Sequence, residues 1–255
     1  MDGVKREKVN DQSHHNVRVF QTVDELNVAA AELIISIANK SIAARGRFVI
    51  SLSGGQTPEK LYSLLAKSPW REQIEWIKTF IFWGDERYVQ FDDKRNNARA
   101  AKSILLNRID IPSRNIYFIN VNLQPNMAAK EYEKDIKDFF KTESLRFDLV
   151  LLGLGENGHT ASLFPRTKVI DEHVEGVRAV YVEEEKMFRV TMTAPLINQA
   201  HHILFLVAGT KKSEVVKQVL TSSFQPAHYP AQLIKPNDGV LLWFVDRDAA
   251  TLISN

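Results

Sequence analysis

Four short polar stretches in this chain each follow an apolar run, and each carries groups suited to binding an anion or moving a proton. The most informative runs from Phe147 to Pro165, where Asp-Leu-Val-Leu-Leu passes into Gly-Leu-Gly-Glu-Asn-Gly-His-Thr-Ala-Ser-Leu-Phe-Pro. It places the imidazole of His159 just past a strand end. Histidine is the side chain best suited to proton transfer near neutral pH, and the carboxyl edge of an open α/β sheet is where rigidly held loops face a crevice. The second stretch, Ser53-Gly54-Gly55-Gln56-Thr57-Pro58, opens a helix. Its glycines let backbone N–H groups turn toward a guest, and a helix N-terminus adds partial positive charge, so phosphate is one natural occupant. On spacing alone an ordinary strand-to-helix turn is an equal reading. The third, Gly84-Asp85-Glu86-Arg87-Tyr88, offers a guanidinium that can grip phosphate bidentately, although taken alone three charges after a strand suit surface ion pairing better. The fourth, Gly209-Thr210-Lys211-Lys212, sets lysines at a helix N-terminus, where the dipole does not favour cations.

The elements that must position these stretches follow from periodicity. Thr22 can cap a helix carrying Asp24 and Glu25 in its first turn; Leu26, Ala30, Leu33, Ile34 and Ile37 recur on one face before Gly46 stops it. Strands are expected at 48–52, 79–83, 116–119, 148–152, 177–181, 189–193, 202–208 and 240–245, and helices at 58–67, 97–107, 126–141 and 211–221. Most of the strands are short apolar runs without alternation, as expected where both faces are covered. The alternating order predicts a parallel-rich sheet with helices on both faces. Residues 1–16 form a polar lead, expected to be frayed, and 17–255 a single α/β domain. The His14-His15 pair in that lead is expected to be solvated.

Composition narrows the function further. With 33 basic and 31 acidic residues and a net charge of +2, the chain has no global charge with which to seek nucleic acid or a membrane. It has no cysteine, which excludes disulfides, thiolate metal sites and thiol nucleophiles and fits a reducing cytosol. No apolar run is expected to approach the roughly 20 residues that cross a bilayer. There is no GxSxG elbow, no HExxH and no Walker lysine after the SGG turn. Gly153-Leu-Gly155-Glu-Asn-Gly158 spells a dinucleotide fingerprint, but Pro165 cuts off the long helix that the fingerprint needs, and His159 would fill the pyrophosphate's place. His201, His202, Trp70, Trp76 and Trp243 are read as structural.

Five motifs, in order and spacing, resemble those of the 6-phosphogluconolactonase family: Ser53-Gly-Gly-Gln-Thr-Pro58, Trp83-Gly-Asp-Glu-Arg-Tyr-Val89, the Gly153–Pro165 segment, Arg189-Val-Thr-Met-Thr-Ala-Pro195 and Gly209-Thr-Lys-Lys212. The likeness runs from about Val17 to Asp248. Its GHTASLFP segment separates this family from the related glucosamine-6-phosphate deaminases, which carry a GHIAFNEPG-like segment. Two positions depart from the pattern: Asn157 stands where the family usually has Asp, leaving open whether a carboxylate orients His159, and Gln90 stands where it often has Pro. The resemblance implies a Rossmann-like α/β domain of the sugar-phosphate isomerase/deaminase kind. It also implies hydrolysis of 6-phosphogluconolactone to 6-phosphogluconate in the oxidative pentose phosphate pathway. Together with the residues, it assigns His159 as general base toward water, with Asp85 as a weaker candidate for orienting the water or a sugar hydroxyl. Gly54, Gly55, Thr57, Arg87, Arg189 and Lys212 would bind the substrate's phosphate and ring. A metal-free, cofactor-free cytoplasmic monomer acting on a small molecule is expected, with no nucleic-acid or membrane partner. The alternatives are an amino-sugar-phosphate deaminase or isomerase and a non-catalytic sugar-phosphate sensor; the lead is too short for the helix-turn-helix that such sensors carry.

Overall fold

The structure is a computed structural model that describes residues 16–141 and 144–253. The His14-His15 pair lies outside these residues.

Among the described residues the apolar runs become nine strands and six α-helices. Strands β1 (Asn16–Phe20), β2 (Phe48–Leu52), β3 (Thr79–Trp83), β5 (Leu149–Leu152), β8 (His202–Val207) and β9 (Val240–Asp246) form one sheet in the order β1-β9-β8-β5-β2-β3. Every pairing in it is parallel. All residues of β2 and β5 are buried, so both faces of the sheet centre are covered. Helices α1 (Val23–Arg45), α2 (Gln56–Leu65), α3 (Asn97–Ile104), α4 (Pro125–Phe140), α5 (Ala194–Ile197) and α6 (Ser213–Thr221) fill most of the connections.

Helix α1 begins as its sequence requires. Thr22 Oγ1 accepts the N–H of Glu25 at 3.1 Å, Glu25 in turn accepts the N–H of Gln21 at 3.1 Å, and Gly46 ends the helix with φ 72°. At 23 residues α1 is long and apolar enough to cross a bilayer, which corrects the expectation that no apolar run approaches that length; the apolar residues are spread among polar ones rather than contiguous. More than half of its most apolar stretch is buried, with Leu26, Ala30, Ile34 and Ala38 in the core beside β2 and β9. Core packing therefore accounts for that composition.

Three further expectations need correction. The segment expected as a strand at 116–119 makes only one bridge, Ile116 to Ile81. Asn16, assigned to the lead, already pairs with Leu242 as the start of β1. The runs at 177–181 and 189–193 do not join the parallel sheet. As β6 (Val177–Val182) and β7 (Met187–Met192), together with the short β4 (Asp85–Arg87), they form a separate antiparallel sheet in the order β4-β7-β6. α4 packs on this sheet, and its Glu133 accepts the N–H of Val177 at 2.9 Å and pairs with Arg178.

Chain direction creates the crevice. From β2 the sheet grows toward β3, whereas β5, β8 and β9 follow in the other direction, so the connections diverge between β2 and β5. In such sheets the carboxyl edge at the divergence is the binding crevice. The SGG turn follows β2, the Asp-Glu-Arg segment follows β3, the His159 loop follows β5 and the Gly209 turn follows β8. Parallel pairing thus carries all four polar stretches to one edge.

Candidate active site

His159 is held on three sides. Its ring lies against the Cα of Gly155, where an added Cβ would fall 2.1 Å from Nδ1, so this position accepts no larger residue without moving the ring. The ring stacks on Phe164 with centroids 3.9 Å apart at 17°. Its Nδ1 sits 2.6 Å from Oδ1 of Asn157, and that oxygen also accepts the backbone N–H of His159 at 3.2 Å. The third glycine of the false fingerprint, Gly158, packs on Tyr229. These glycines make room for an imidazole and its loop, and the dinucleotide spelling is incidental.

The tautomer follows from the partners. A backbone N–H can only donate and a carboxylate can only accept, and the Asn157 amide faces one of each: the His159 N–H at its oxygen and Glu184 at its nitrogen, 3.2 Å away. Asn157 Oδ1 is therefore the acceptor, the proton sits on Nδ1, and Nε2 carries the free lone pair. Burial, followed by the positive charges of Arg189, Lys212 and Arg87, pushes the imidazole down from 6.5 to about 3. The ring is neutral at physiological pH.

Those three cations are not equivalent. Arg189, 5% exposed, lies between two carboxylates: it contacts Asp85 at 3.4 Å and donates to Glu185 through Nε at 2.9 Å and through a second nitrogen. Its guanidinium also sits 5.3 Å above the Phe164 ring, on which His159 stacks. Among the described residues Arg87 donates to neutral groups, the Asn97 side chain at 2.8 Å and the carbonyl of Arg95 at 3.0 Å. Lys212, half-buried at the N-terminus of α6, has its ammonium pushed down by desolvation. Among the described residues neither Arg87 nor Lys212 has a carboxylate partner within ion-pair distance. The Arg189 guanidinium is neutralised by two carboxylates, whereas Arg87 and Lys212 have no ion-pair partner among the described residues, Glu156 being the carboxylate whose charge Lys212 feels.

The SGG turn and the Asp-Glu-Arg segment meet through a residue that the sequence did not single out. A Cβ on Gly54 would fall 2.0 Å from Asn97 Oδ1, so Gly54 makes way for Asn97. Asn97 accepts from Arg87 and donates to the carbonyl of Asp85 at 3.1 Å. Glu86, 2% exposed, places Asn97 by accepting the N–H groups of Asn97 (2.7 Å), Ala98 (2.8 Å) and Arg87 (2.8 Å) at the N-terminus of α3. Burial outweighs those bonds and pushes its carboxyl up to about 7. Gly55 is the N-cap residue of α2, with φ 112°, and Thr57 is half-buried in the first turn. The helix begins at Gln56 rather than Pro58, leaving the N–H groups of Gln56 and Thr57 in its opening turn.

Two buried tyrosines fix the strand ends from which these loops leave. Tyr62 Oη accepts the Ser53 N–H at 3.0 Å and donates to the Ser53 carbonyl at 2.7 Å. Tyr132 does the same at Trp83, at 2.7 and 3.1 Å. Both lie within helices expected from the sequence, at 58–67 and 126–141, where nothing local marks a tyrosine that ties a strand end. Asp85, expected to orient water or a sugar hydroxyl, is 5% exposed and engaged by Ser162 Oγ at 2.6 Å and by Arg189. Its geometry suits a tie between the His159 loop and β7. His202 and Trp76 bond backbone carbonyls, and Trp243 stacks on Phe205.

Residues 21–243 match the family of glucosamine-6-phosphate isomerases/6-phosphogluconolactonase. A 6-phosphogluconolactonase of Synechocystis sp. is 41% identical over 215 residues, covering 82% of this chain and 86% of the relative. One of Haemophilus influenzae is 38% identical over 204 residues, covering 80% and 87%. Among solved structures, the 6-phosphogluconolactonase from Trypanosoma brucei aligns with a TM-score of 0.83 at 27% identity, covering 94% of this chain and 98% of its own. A monomeric glucosamine-6-phosphate deaminase shares the fold with a TM-score of 0.79 at 22% identity, over 93% of this chain and 99% of its own. The chain belongs to the glucosamine-6-phosphate isomerase/6-phosphogluconolactonase family.

Proposed function

We infer that this protein hydrolyses 6-phospho-D-glucono-1,5-lactone to 6-phospho-D-gluconate, the second step of the oxidative pentose phosphate pathway. The observation that carries the reading is a neutral imidazole with Nδ1 engaged and Nε2 free, at a sheet edge that also presents Arg87 and Lys212, neither of them in an ion pair among the described residues. The relatives named above supply the substrate class.

A lactone is already an activated ester, so an anchored substrate, a deprotonated water and a counter to charge on the carbonyl oxygen suffice. The phosphate would be held by Arg87 and Lys212, with Gly54, Gly55 and Thr57 shaping the turn beside them. Arg189 and Asp85 would act as positioning residues, Arg189 through Phe164 and Asp85 through Ser162 and Arg189. His159 Nε2 would take a proton from water as its oxygen attacks C1. The C1–ring-oxygen bond then breaks, and the ring oxygen takes the proton held by the imidazolium to become the 5-hydroxyl, which returns His159 to its neutral form. An imidazole held near 3 is a weak base; a phosphate bound by Arg87 and Lys212 would offset the charge part of that depression, whose largest single cause is burial.

The test is a time course of acid release from the lactone with and without protein, with the spontaneous rate subtracted. Acceleration is expected; a rate equal to background, with 6-phosphogluconate still bound, would identify a sensor. Ammonia release from glucosamine 6-phosphate would identify a deaminase.

A further inference from the structure

The amide of Asn157 is the weak point of the arrangement around His159. A carboxylate in its place would accept the Nδ1 proton in either orientation, whereas an amide does so only with its oxygen toward the ring. Reversed, it would offer an N–H₂ donor, demand a lone pair on Nδ1 and push the proton to Nε2, removing the base. Two contacts oppose that reversal: the His159 N–H at Oδ1, and Glu184, whose Oε2 accepts from Nδ2 at 3.2 Å. Glu184 sits in the Glu183–Glu185 turn between β6 and β7, and its neighbour Glu185 holds Arg189. One turn of the small sheet therefore reaches both the ring nitrogen of His159, through Asn157, and the ring's stacking partner Phe164, through Arg189.

We propose that Glu184 is a positioning residue that locks the Asn157 amide and so holds His159 as the Nδ1–H tautomer, letting an asparagine serve where a carboxylate would serve unaided. A reversed amide would set its oxygen against the Glu184 carboxylate, which adds repulsion to the lost hydrogen bond. The same contact polarises the amide and makes its oxygen a better acceptor. The proposal rests on the reading of His159 as general base, and its test separates the two.

The experiment pairs turnover with ¹⁵N NMR of the His159 ring nitrogens, which reports the tautomer independently of catalysis. Glu184→Ala should lower kcat by roughly two- to five-fold, as expected for a solvent-exposed charge-assisted contact, with KM little changed and Nε2–H signal appearing. Glu184→Gln, whose side-chain carbonyl still accepts, should recover most of the loss. In an Asn157→Asp background the alanine substitution should cost no further turnover and leave the Nδ1–H tautomer intact. An unchanged tautomer in Glu184→Ala, at native Tm, overturns the proposal. A shifted tautomer with undiminished turnover supports the lock and overturns His159 as the base.

Discussion

At the level of single residues, replacing His159 by Ala should lower kcat by about 10² or more with substrate affinity little changed, as loss of a proton-transfer group does. Wild-type turnover would remove it from the reaction. His159, Arg87 and Lys212 were legible as candidates because a histidine or a cation beside strand-end glycines is unusual in type and place. Asn157 was legible only through the resemblance, as a departure from the usual Asp, whereas Asn97 and Glu184 were not legible, because their contacts cross between segments that no local spacing relates. The glycine beneath His159 yields a finer test. Gly155→Ala sets a methyl group where the ring now lies, so it should cut kcat by about ten-fold or more through a displaced base. Circular dichroism and Tm near those of the wild type would show that the ring moved and the fold did not.

At the level of elements, the parallel strands were readable because burial on both faces leaves continuous apolar runs: the expected ranges for β2 and β3 match the structure residue for residue. The antiparallel sheet was misassigned because Asp85-Glu86-Arg87 has the composition of a loop. It becomes β4 only because β7 pairs with it and because Ser162, Arg189, Asn97 and the start of α3 satisfy its charges. That dependence predicts distinct outcomes at neighbouring positions. Arg87→Ala should raise KM for the lactone and Kd for 6-phosphogluconate by about ten-fold, with kcat less affected, since it removes a charge-assisted contact made in ground and transition states alike. Unaltered affinity measured by calorimetry would contradict the assignment. Asp85→Ala instead leaves Arg189 buried with one carboxylate fewer, which should cost about 3 kcal/mol of stability. Thermal melts should then show Tm lowered by roughly 6–12 °C. An activity loss at unchanged Tm would mean that Asp85 acts on substrate.

For the whole molecule, stability and activity share one constraint: the sheet edge that assembles the site buries an imidazole among cations. In the unfolded chain His159 titrates at the usual 6.5, whereas in the folded protein it stays neutral until about 3. Between those values the unfolded state binds more protons, so stability rises with pH through the window. The contribution is complete above pH 6.5 and is lost progressively as pH falls toward 3. Its cause is burial first and the charges of Arg189, Lys212 and Arg87 next, so it belongs to the assembled site rather than to the loop alone. His159→Gln carries no titratable ring. Its Tm should therefore fall less steeply than that of the wild type between pH 6.5 and 4, and the difference between the two curves isolates this group because all other titrations are common to both proteins. Adding 6-phosphogluconate should narrow the difference, since a bound phosphate offsets the surrounding cations and lets the imidazole accept a proton while folded. Parallel curves without ligand would mean that the ring is solvated and unaffected by those charges, contrary to the geometry of the site.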